Sequence, residues 1–376
     1  MTRRHLSLLL LAPLLLAGCG SPDRGPATSP SPEPSTSASE TEAADWQTWL
    51  DEHATAAVAD GVAPGFAMAH VGPDRDVTVA VAGQRSRQDA TPLGPDAAFH
   101  LGSDTKAMTA VLLATYVQDG VLDLDAPLSE LFPEAALVEP TASVTLRDVL
   151  GHRAGLSDDG LDLLALHAAT DVPAARADAV VDALRAAGEP GTFAYANVGY
   201  MLAGAVAERI GGAPWEELLT DRVFEPLGME CGFGAPAGPG DPLGSGPDGA
   251  GVAADDPYSD NPAALGPAGT VHCPMADWAA FATAVLDGFR GEGSPVLGAD
   301  AAADLLGGDE DYVAGWSRFD ADGQTVWAHD GSNTLWYARA VLLVEEDEVL
   351  LLAANTADEA AVTRMDELLS TSGERG

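Results

Sequence analysis

The chain has 376 residues, 46% of them hydrophobic, which is enough to form the core of one large domain or of two lobes. Its 58 acidic residues outnumber 18 basic ones and give a net charge of −40. Such a surface repels nucleic acid, so nucleic-acid binding is excluded, and the charge indicates a strongly solvated, self-repelling exterior.

The start of the chain predicts export and lipid anchoring. An arginine pair precedes an apolar run from Leu6 to Leu16, which is too short for an ordinary transmembrane helix and is typical of a signal peptide. The Leu-Ala-Gly-Cys segment that ends at Cys19 resembles the bacterial lipoprotein box, and the resemblance implies a lipid on Cys19. We therefore expect a signal peptide over residues 1–19 and a protein anchored to the outside of the cell membrane. Export by the general or the twin-arginine route stays open, and an ordinary signal peptide is the alternative.

A tether and then a folded domain are expected next. Residues 20–44 consist largely of Ser, Thr, Pro, Glu and Ala without apolar periodicity, which predicts a disordered tether. Order should begin near Asp45 with an amphipathic helix that ends near Asp60. Strands punctuated by Gly and Pro follow at residues 65–71 and 77–81.

The middle of the chain predicts helices and its end predicts strands. Helical patterns occupy residues 146–150, 161–167, 177–187, 199–210, 215–219, 276–286 and 357–369. Strand patterns occupy residues 312–316, 325–329, 337–344 and 349–353. We predict one α+β domain over residues 45–372. Both chain ends, about 45–102 and 265–372, would form an antiparallel sheet flanked by helices, with a mostly helical lobe, about 103–264, inserted between them.

Ser103 and Lys106 form a Ser-x-x-Lys motif at the start of a predicted helix. Among the 18 basic residues only Lys106 is a lysine, and all the others are arginine. A guanidinium group stays charged, with a pKa above about 12, whereas a buried lysine can lose its proton. Lys106 lies one helical turn after Ser103. This pattern is typical of a nucleophile beside an amine base, against the alternative of a helix cap and an exposed charge.

Two later segments also carry polar groups that suit an active site. Tyr195 and Asn197 are two residues apart, so an extended chain presents both to one side. A phenol can act as a base, and an amide can hold a carbonyl or an ammonium group. His329, Gly331 and Ser332 end a strand, where a glycine lets a substrate backbone approach the strand edge. A buried tyrosine with a turn asparagine, and a plain strand end, are the structural alternatives.

Together these motifs resemble the serine β-lactamase and penicillin-binding-protein superfamily, in its class C β-lactamase-like and D,D-carboxypeptidase-like branch. The superfamily has Ser-x-x-Lys, Tyr-x-Asn and Lys/His-x-Gly in this order. Three further segments resemble its Leu-x-His-x-x-Gly-Leu, Pro-Leu-Gly-Met and Pro-Ala-Gly…Asp elements, and they begin at Leu150, Pro226 and Pro267. The resemblance covers about residues 45–369.

The resemblance implies an acyl-enzyme mechanism. Ser103 would attack a carbonyl group, and Lys106 and Tyr195 would share the role of base, with the location of the proton left open. The backbone N–H groups of Ser103 and Ser332 would form the oxyanion hole. The expected substrate is a small molecule or a peptide, cleaved in the manner of a D,D-carboxypeptidase, an esterase or a β-lactamase. A non-catalytic lipoprotein that binds penicillin or cell-wall peptide is the alternative.

The third motif departs from that of true class C β-lactamases. The resemblance implies that Asn197 orients the acyl group and that His329 and Gly331 line the pocket. Those lactamases carry Lys-Thr-Gly here, whereas this chain has no lysine at this position and has Asp330 in the middle. We expect the missing cation and the added negative charge to weaken recognition of a substrate carboxylate. Whether β-lactams are hydrolysed or only bound stays open.

Cys231 and Cys273 lie 42 residues apart and flank a loop rich in Gly, Pro and Asp. An exported chain meets an oxidising compartment, so we predict that they form a disulfide, with two separate buried thiols as the alternative. The histidines are scattered and no Cys/His cluster has the spacing of a zinc site. We therefore expect no metal and no cofactor.

Overall fold

The computed structural model describes residues 36–246, 248–308, 310–321 and 323–372, with side chains from residue 42 onward. The predicted signal peptide, the lipidation at Cys19 and the first part of the tether lie outside these residues. Within them, no helix combines the length and the apolar character needed to cross a membrane.

Most strands lie toward the two ends of the chain, and most helices lie between them. The α-helices are α1 (Thr36–Ala59), α2 (Thr105–Gln118), α3 (Leu128–Leu131), α4 (Leu146–Leu150), α5 (Leu163–His167), α6 (Val172–Arg185), α7 (Asn197–Gly211), α8 (Trp215–Leu219), α9 (Glu225–Leu227), α10 (Gly266–Gly269), α11 (Met275–Phe289), α12 (Ala299–Leu306) and α13 (Glu359–Ser372). The strands are β1 (Gly65–Val71), β2 (Val77–Gly83), β3 (Ala98–His100), β4 (Gly232–Phe233), β5 (Val271–Pro274), β6 (Tyr312–Val313), β7 (Trp316–Ala321), β8 (Gln324–Ser332), β9 (Tyr337–Leu343) and β10 (Glu348–Ala354).

The main sheet joins the two ends of the chain. Its seven strands run in the order β2-β1-β10-β9-β8-β7-β6, and every neighbouring pair is antiparallel. At its centre Met68 of β1 lies opposite Leu352 of β10. The predicted α+β class, with one antiparallel sheet built from both chain ends, is confirmed.

Each face of the sheet is covered by helices. On one face, α1 and α13 contribute Leu50 and Met365 to a cluster that includes Phe66 of β1. On the other face lies the larger core, which holds the inserted helices. Every residue of α2 from Thr105 to Tyr116 is buried, so this helix runs through the middle of the molecule. Its N-terminus therefore meets the sheet deep in the structure.

Two local predictions differ from the structure, and one small sheet was not predicted. Helix α1 begins at Thr36 rather than at Asp45, because residues 36–44 contain Ala and Glu, which favour helices, and no Pro. The run at 312–316 is a tight hairpin between β6 and β7, turned by Gly315 at φ 95°. A second sheet, in the order β3-β5-β4, was not predicted, because strands of two to four residues carry too little periodicity to detect.

A disulfide between Cys231 and Cys273 holds this second sheet together. Cys273 lies in β5 opposite Phe99 of β3, and Cys231 directly precedes β4. The disulfide thus joins β5 to the residue before β4, and β5 in turn pairs with β3, the strand that ends at His100 and leads into Ser103.

Replacing both cysteines by alanine is expected to lower the free energy of unfolding by up to about 4 kcal/mol, because the disulfide closes a loop of 42 residues in the unfolded chain. Chemical denaturation of the variant and the parent measures this difference. A thiol count on unfolded, unreduced protein that begins after Cys19 is the control. Two free thiols per chain would contradict the disulfide.

Candidate active site

Ser103 lies in a single helical turn, Gly102–Asp104, between β3 and α2. The turn packs directly against the end of β8. Gly102 has φ +51°, and a Cβ atom added to it would lie 2.3 Å from the backbone nitrogen of Ser332. A side chain at residue 102 would therefore push β8 away from the serine. The glycine allows the backbone N–H groups of the turn and of Ser332 to lie side by side.

Lys106 is fully buried beneath Ser103. Its Nζ atom lies 3.0 Å from Ser103 Oγ, 2.9 Å from Asn197 Oδ1 and 2.7 Å from the carbonyl oxygen of Ala268. Burial lowers the pKa of Lys106 to about 7, although the carboxylates of Asp158 and Asp104 act in the opposite direction. Near neutral pH a large fraction of the amine is therefore unprotonated and able to accept the hydroxyl proton of Ser103.

Tyr195 also contacts Ser103. The residue is 44% exposed, but loss of hydration around its hydroxyl raises the pKa of Tyr195, and a hydrogen bond with Ser103 offsets this only in part. Lys106 Nζ lies 4.8 Å from the centre of the Tyr195 ring. The two pKa shifts have opposite signs, so they favour the lysine as the base and the tyrosine as a hydrogen-bonded acid in the free protein.

Asn197 connects the second motif to the lysine. Asp158 accepts hydrogen bonds from the backbone N–H and from the side-chain Nδ2 of Asn197, and from the backbone N–H of Val198, each at 2.9 Å. These bonds fix the first turn of α7 and turn Asn197 Oδ1 toward Lys106. The contact with Lys106 is the ammonium contact that the sequence left open for this amide, and the role of Asn197 in orienting the acyl group stays a prediction. Asp158 was missed, because its sequence neighbourhood is that of an ordinary acidic loop.

Asp158→Ala is expected to lower the free energy of unfolding by about 1–3 kcal/mol, because the N–H groups of Asn197 and Val198 lose their acceptor. It should also lower the pKa of Lys106, since a carboxylate that favours the ammonium form is removed. The acid limb of the acylation pH profile should then move to lower pH. Asp159→Ala is the control, because that side chain is exposed. An unchanged limb, or one shifted to higher pH, would contradict the electrostatic part of this prediction.

The end of β8 forms the opposite wall of the site. His329 is buried, and this burial lowers the pKa of His329 to about 4, so the ring is neutral near pH 7. A Cβ atom on Gly331 would lie 1.8 Å from the carbonyl oxygen of Leu101, so only glycine fits where β8 meets the nucleophile turn. Ser332 follows and is exposed. The structure therefore brings all three predicted motifs to one place.

Comparison with known proteins agrees with this geometry. The model of the family described as Beta-lactamase matches residues 50–370. The chain belongs to the beta-lactamase family. Penicillin-binding protein 4 of Amycolatopsis lactamdurans is 30% identical to this family member over 294 residues, which are 72% of this chain and 75% of that protein.

Solved structures show the same fold. SurE with D-Leu superimposes with a TM-score of 0.71 at 24% identity, and the match covers 89% of this chain and 76% of that chain. D-amino acid amidase from Ochrobactrum anthropi SV3 complexed with L-phenylalanine amide gives a TM-score of 0.68 at 22% identity, with 89% and 99% covered. The predicted superfamily and the serine-hydrolase class are confirmed by the family match.

Weak recognition of a substrate carboxylate was predicted partly from the negative charge of Asp330, and for this beta-lactamase-family site that reason was wrong. Asp330 does not carry a free charge into the pocket, because its carboxylate binds the guanidinium group of Arg339, with Nη2 3.0 Å from Oδ2. Arg339 also pairs with Asp366 of α13. Side chains alternate along a strand, so Asp330 faces α13 while His329 faces the site. Only the missing lysine is left as a cause of weak carboxylate recognition.

Aromatic rings pack around Tyr195. His152 lies between Tyr195 and Tyr312 with its ring tilted against both, the ring centres are 4.3 and 4.8 Å away, and His152 Nδ1 accepts a hydrogen bond from the backbone N–H of Ala196. Burial lowers the pKa of His152 to about 3, so this ring is also neutral. It fixes the backbone between Tyr195 and Asn197. Across the residues that the structure describes, no group of three or more His, Cys, Asp or Glu side chains is placed to hold a metal ion.

Proposed function

We propose that this protein hydrolyses esters and small amides, such as D-amino-acid amides, through an acyl-enzyme on Ser103. The observation that supports this most is the buried Lys106 amine, bonded to Ser103 Oγ and with its pKa lowered to about 7. An arginine could not supply a neutral base, and a purely structural cation would gain nothing from this depressed pKa.

The chemical steps follow from these contacts. The Ser103 hydroxyl proton moves to Lys106 Nζ while Oγ forms a bond to the substrate carbonyl carbon, and the carbonyl π electrons move to oxygen. The N–H groups of Ser103 and Ser332 stabilise that oxyanion, and one such donor typically contributes about 10²–10³ in rate. When the carbonyl re-forms, the bond to the leaving group breaks, and the leaving group receives a proton either directly from Lys106 or from Tyr195, which then takes the proton that Lys106 holds. Water then attacks the ester on Ser103 and gives a proton to Lys106, the bond between the carbonyl carbon and Ser103 Oγ breaks, and Lys106 returns the proton to Oγ as the acid leaves.

The third motif favours substrates that carry no carboxylate. The residue that replaces the lysine of class C lactamases, His329, is neutral near pH 7 because its pKa is lowered to about 4. Arg339 is bonded to Asp330 and faces α13. A substrate carboxylate at the end of β8 therefore lacks the cation that it meets in those lactamases.

A fluorophosphonate probe tests the proposal directly. Mass spectrometry should find the probe on Ser103 of the parent and find no label on the Ser103→Ala variant. A folded parent that binds penicillin but accepts no covalent label would instead support the non-catalytic binder.

Substrate preference is a separate expected result. A neutral ester or a D-amino-acid amide should give a higher kcat/KM than a penicillin, because the penicillin carboxylate finds no cation at the third motif. Steady-state kinetics with the three substrates measures this ranking. A penicillin kcat/KM near the diffusional ceiling of about 10⁸ M⁻¹ s⁻¹ would contradict it.

We also propose that the chain is exported and anchored to the cell membrane by a lipid on Cys19, as the Leu-Ala-Gly-Cys segment indicates. Metabolic labelling with a fatty-acid analogue tests this. The parent protein should carry the label and be found in the membrane fraction, and the Cys19→Ala variant should carry no label.

A further inference from the structure

A buried acid–histidine pair lies behind the nucleophile turn. His100 ends β3, and Asp260 lies in the long loop between β4 and β5. Their side chains are 0% and 8% exposed, and His100 Nε2 lies 2.9 Å from Asp260 Oδ1. Neither residue belongs to the three catalytic motifs, and burying a carboxylate is costly unless hydrogen bonds compensate for the lost water.

The histidine holds the residue before the nucleophile. Its Nδ1 atom accepts a hydrogen bond of 3.0 Å from the backbone N–H of Gly102. In the neutral ring the proton is therefore on Nε2, which lies against the Asp260 carboxylate in a close polar contact of 2.9 Å without the alignment of a hydrogen bond. The carboxylate fixes the ring, and the ring fixes the peptide that packs against Ser332.

The same carboxylate also holds the other side of the site. Asp260 Oδ1 accepts a hydrogen bond of 2.9 Å from Asn333 Nδ2, and Asn333 directly follows Ser332. The next loop residue, Asn261, donates from Nδ2 to the carbonyl oxygen of Gly269 at 2.9 Å. Gly269 follows Ala268, whose carbonyl oxygen accepts from Lys106. One loop segment thus connects the nucleophile turn, the end of β8 and the peptide that binds the base.

We propose that Asp260 and His100 are positioning residues that hold the backbone N–H groups of Ser103 and Ser332 at the spacing needed to bind an oxyanion. Neither side chain touches the substrate. Oxyanion stabilisation depends on donors that are already in place before charge develops, so a loosened turn lowers the rate without removing a donor. The effect on rate rests on the proposed function, whereas the effect on backbone order does not.

The test combines backbone exchange with acylation kinetics. In Asp260→Ala, hydrogen exchange of the amides of residues 102–104 and 333–335 should rise at least tenfold, because the contacts of Asp260 with His100 and with Asn333 are both lost. The rate constant for acylation of Ser103 by a chromogenic ester should fall about 10²-fold, with KM changed less than threefold. Asp255→Ala is the matched control, since Asp255 is exposed in the same loop.

Two further variants separate positioning from general destabilisation. Asp260→Asn keeps an oxygen that can accept from His100, so it should recover most of the acylation rate. His100→Ala removes the contact of Asp260 with His100 and keeps the contact with Asn333, so exchange should rise at residues 102–104 and stay near the parent value at residues 333–335. These variants keep the proposal testable if Asp260→Ala does not fold.

The outcomes distinguish the two proposals. Parent-like exchange at both segments in folded Asp260→Ala, or parent-like exchange at residues 102–104 in folded His100→Ala, would overturn the positioning role, whatever the rates. A loss of stability with unchanged acylation by the folded fraction would also overturn it. If exchange responds as expected but the parent never acylates, the positioning role of Asp260 and His100 is supported and the proposed hydrolase function fails.

Discussion

Lys106→Arg is expected to lower the rate of Ser103 acylation by at least about three orders of magnitude, as when a unit of catalytic groups is broken. The substitution keeps the positive charge but removes a group that can be neutral, because a guanidinium does not lose its proton at any ordinary pH. The larger planar head must also fit a fully buried site that is shaped around Ser103, Asn197 and Ala268. Burst-phase acylation by a chromogenic ester measures the effect.

The pH profile of the parent supplies the control for this variant. Lys106 acts as a base when unprotonated, and its pKa is lowered to about 7, so the acylation rate should rise with pH through about 7 and then level off. Lys106→Met, which removes the charge and keeps the length, should be as slow as the arginine variant. Denaturation curves must show that both variants are folded. A folded Lys106→Arg protein that acylates at near the parent rate would refute the assignment of the base.

Gly102→Ala should reduce acylation by about 10²-fold or more, because it separates the nucleophile turn from the end of β8, whose backbone N–H groups form the proposed oxyanion hole. The new methyl group would lie 2.3 Å from Ser332 N and 2.9 Å from Ser332 Cα, and backbone atoms cannot rotate away as a side chain can. The loss should appear in the acylation rate constant more than in KM, since the oxyanion forms only as the bond to Ser103 forms.

Gly120→Ala is the matched control for this substitution. Gly120 also has a positive φ, +71°, but its added Cβ would meet nothing within 4 Å. It therefore carries the conformational penalty of a left-handed alanine without the clash. Both variants should lose some stability, and only Gly102→Ala should lose acylation. Equal rates in the two folded variants would show that β8 can move without affecting catalysis.

The sequence predicted the parts of the site that local patterns encode. Ser103 and Lys106 are one helical turn apart, so their contact follows from helix geometry alone. The long strands β1, β9 and β10 are nearly continuous apolar runs, and this was enough to place them within a residue or two. Their assembly into an α+β fold followed from the resemblance of ordered motifs.

What the sequence could not predict are contacts between distant segments. Asp158 bonds to α7 across 39 residues, and Asn333 bonds to Asp260 across 73. Each is a polar residue in a polar loop, and such residues are usually solvated, so nothing local marks them. The same holds for Asp330, whose partner Arg339 is found only once the register of β8 and β9 is known.

The burial of the single lysine also determines how this protein responds to amine chemistry. Reagents that couple to lysine side chains normally decorate many surface sites, but here the one lysine is fully enclosed. A small acylating reagent that modifies Lys106 must first reach the enclosed amine, a substantial fraction of which is unprotonated at neutral pH, since its pKa is lowered to about 7. The extent of labelling therefore reports how readily small molecules reach Lys106. Coupling of the protein to a solid support through amines would use the amino terminus of the chain and leave the enclosed Lys106 unmodified.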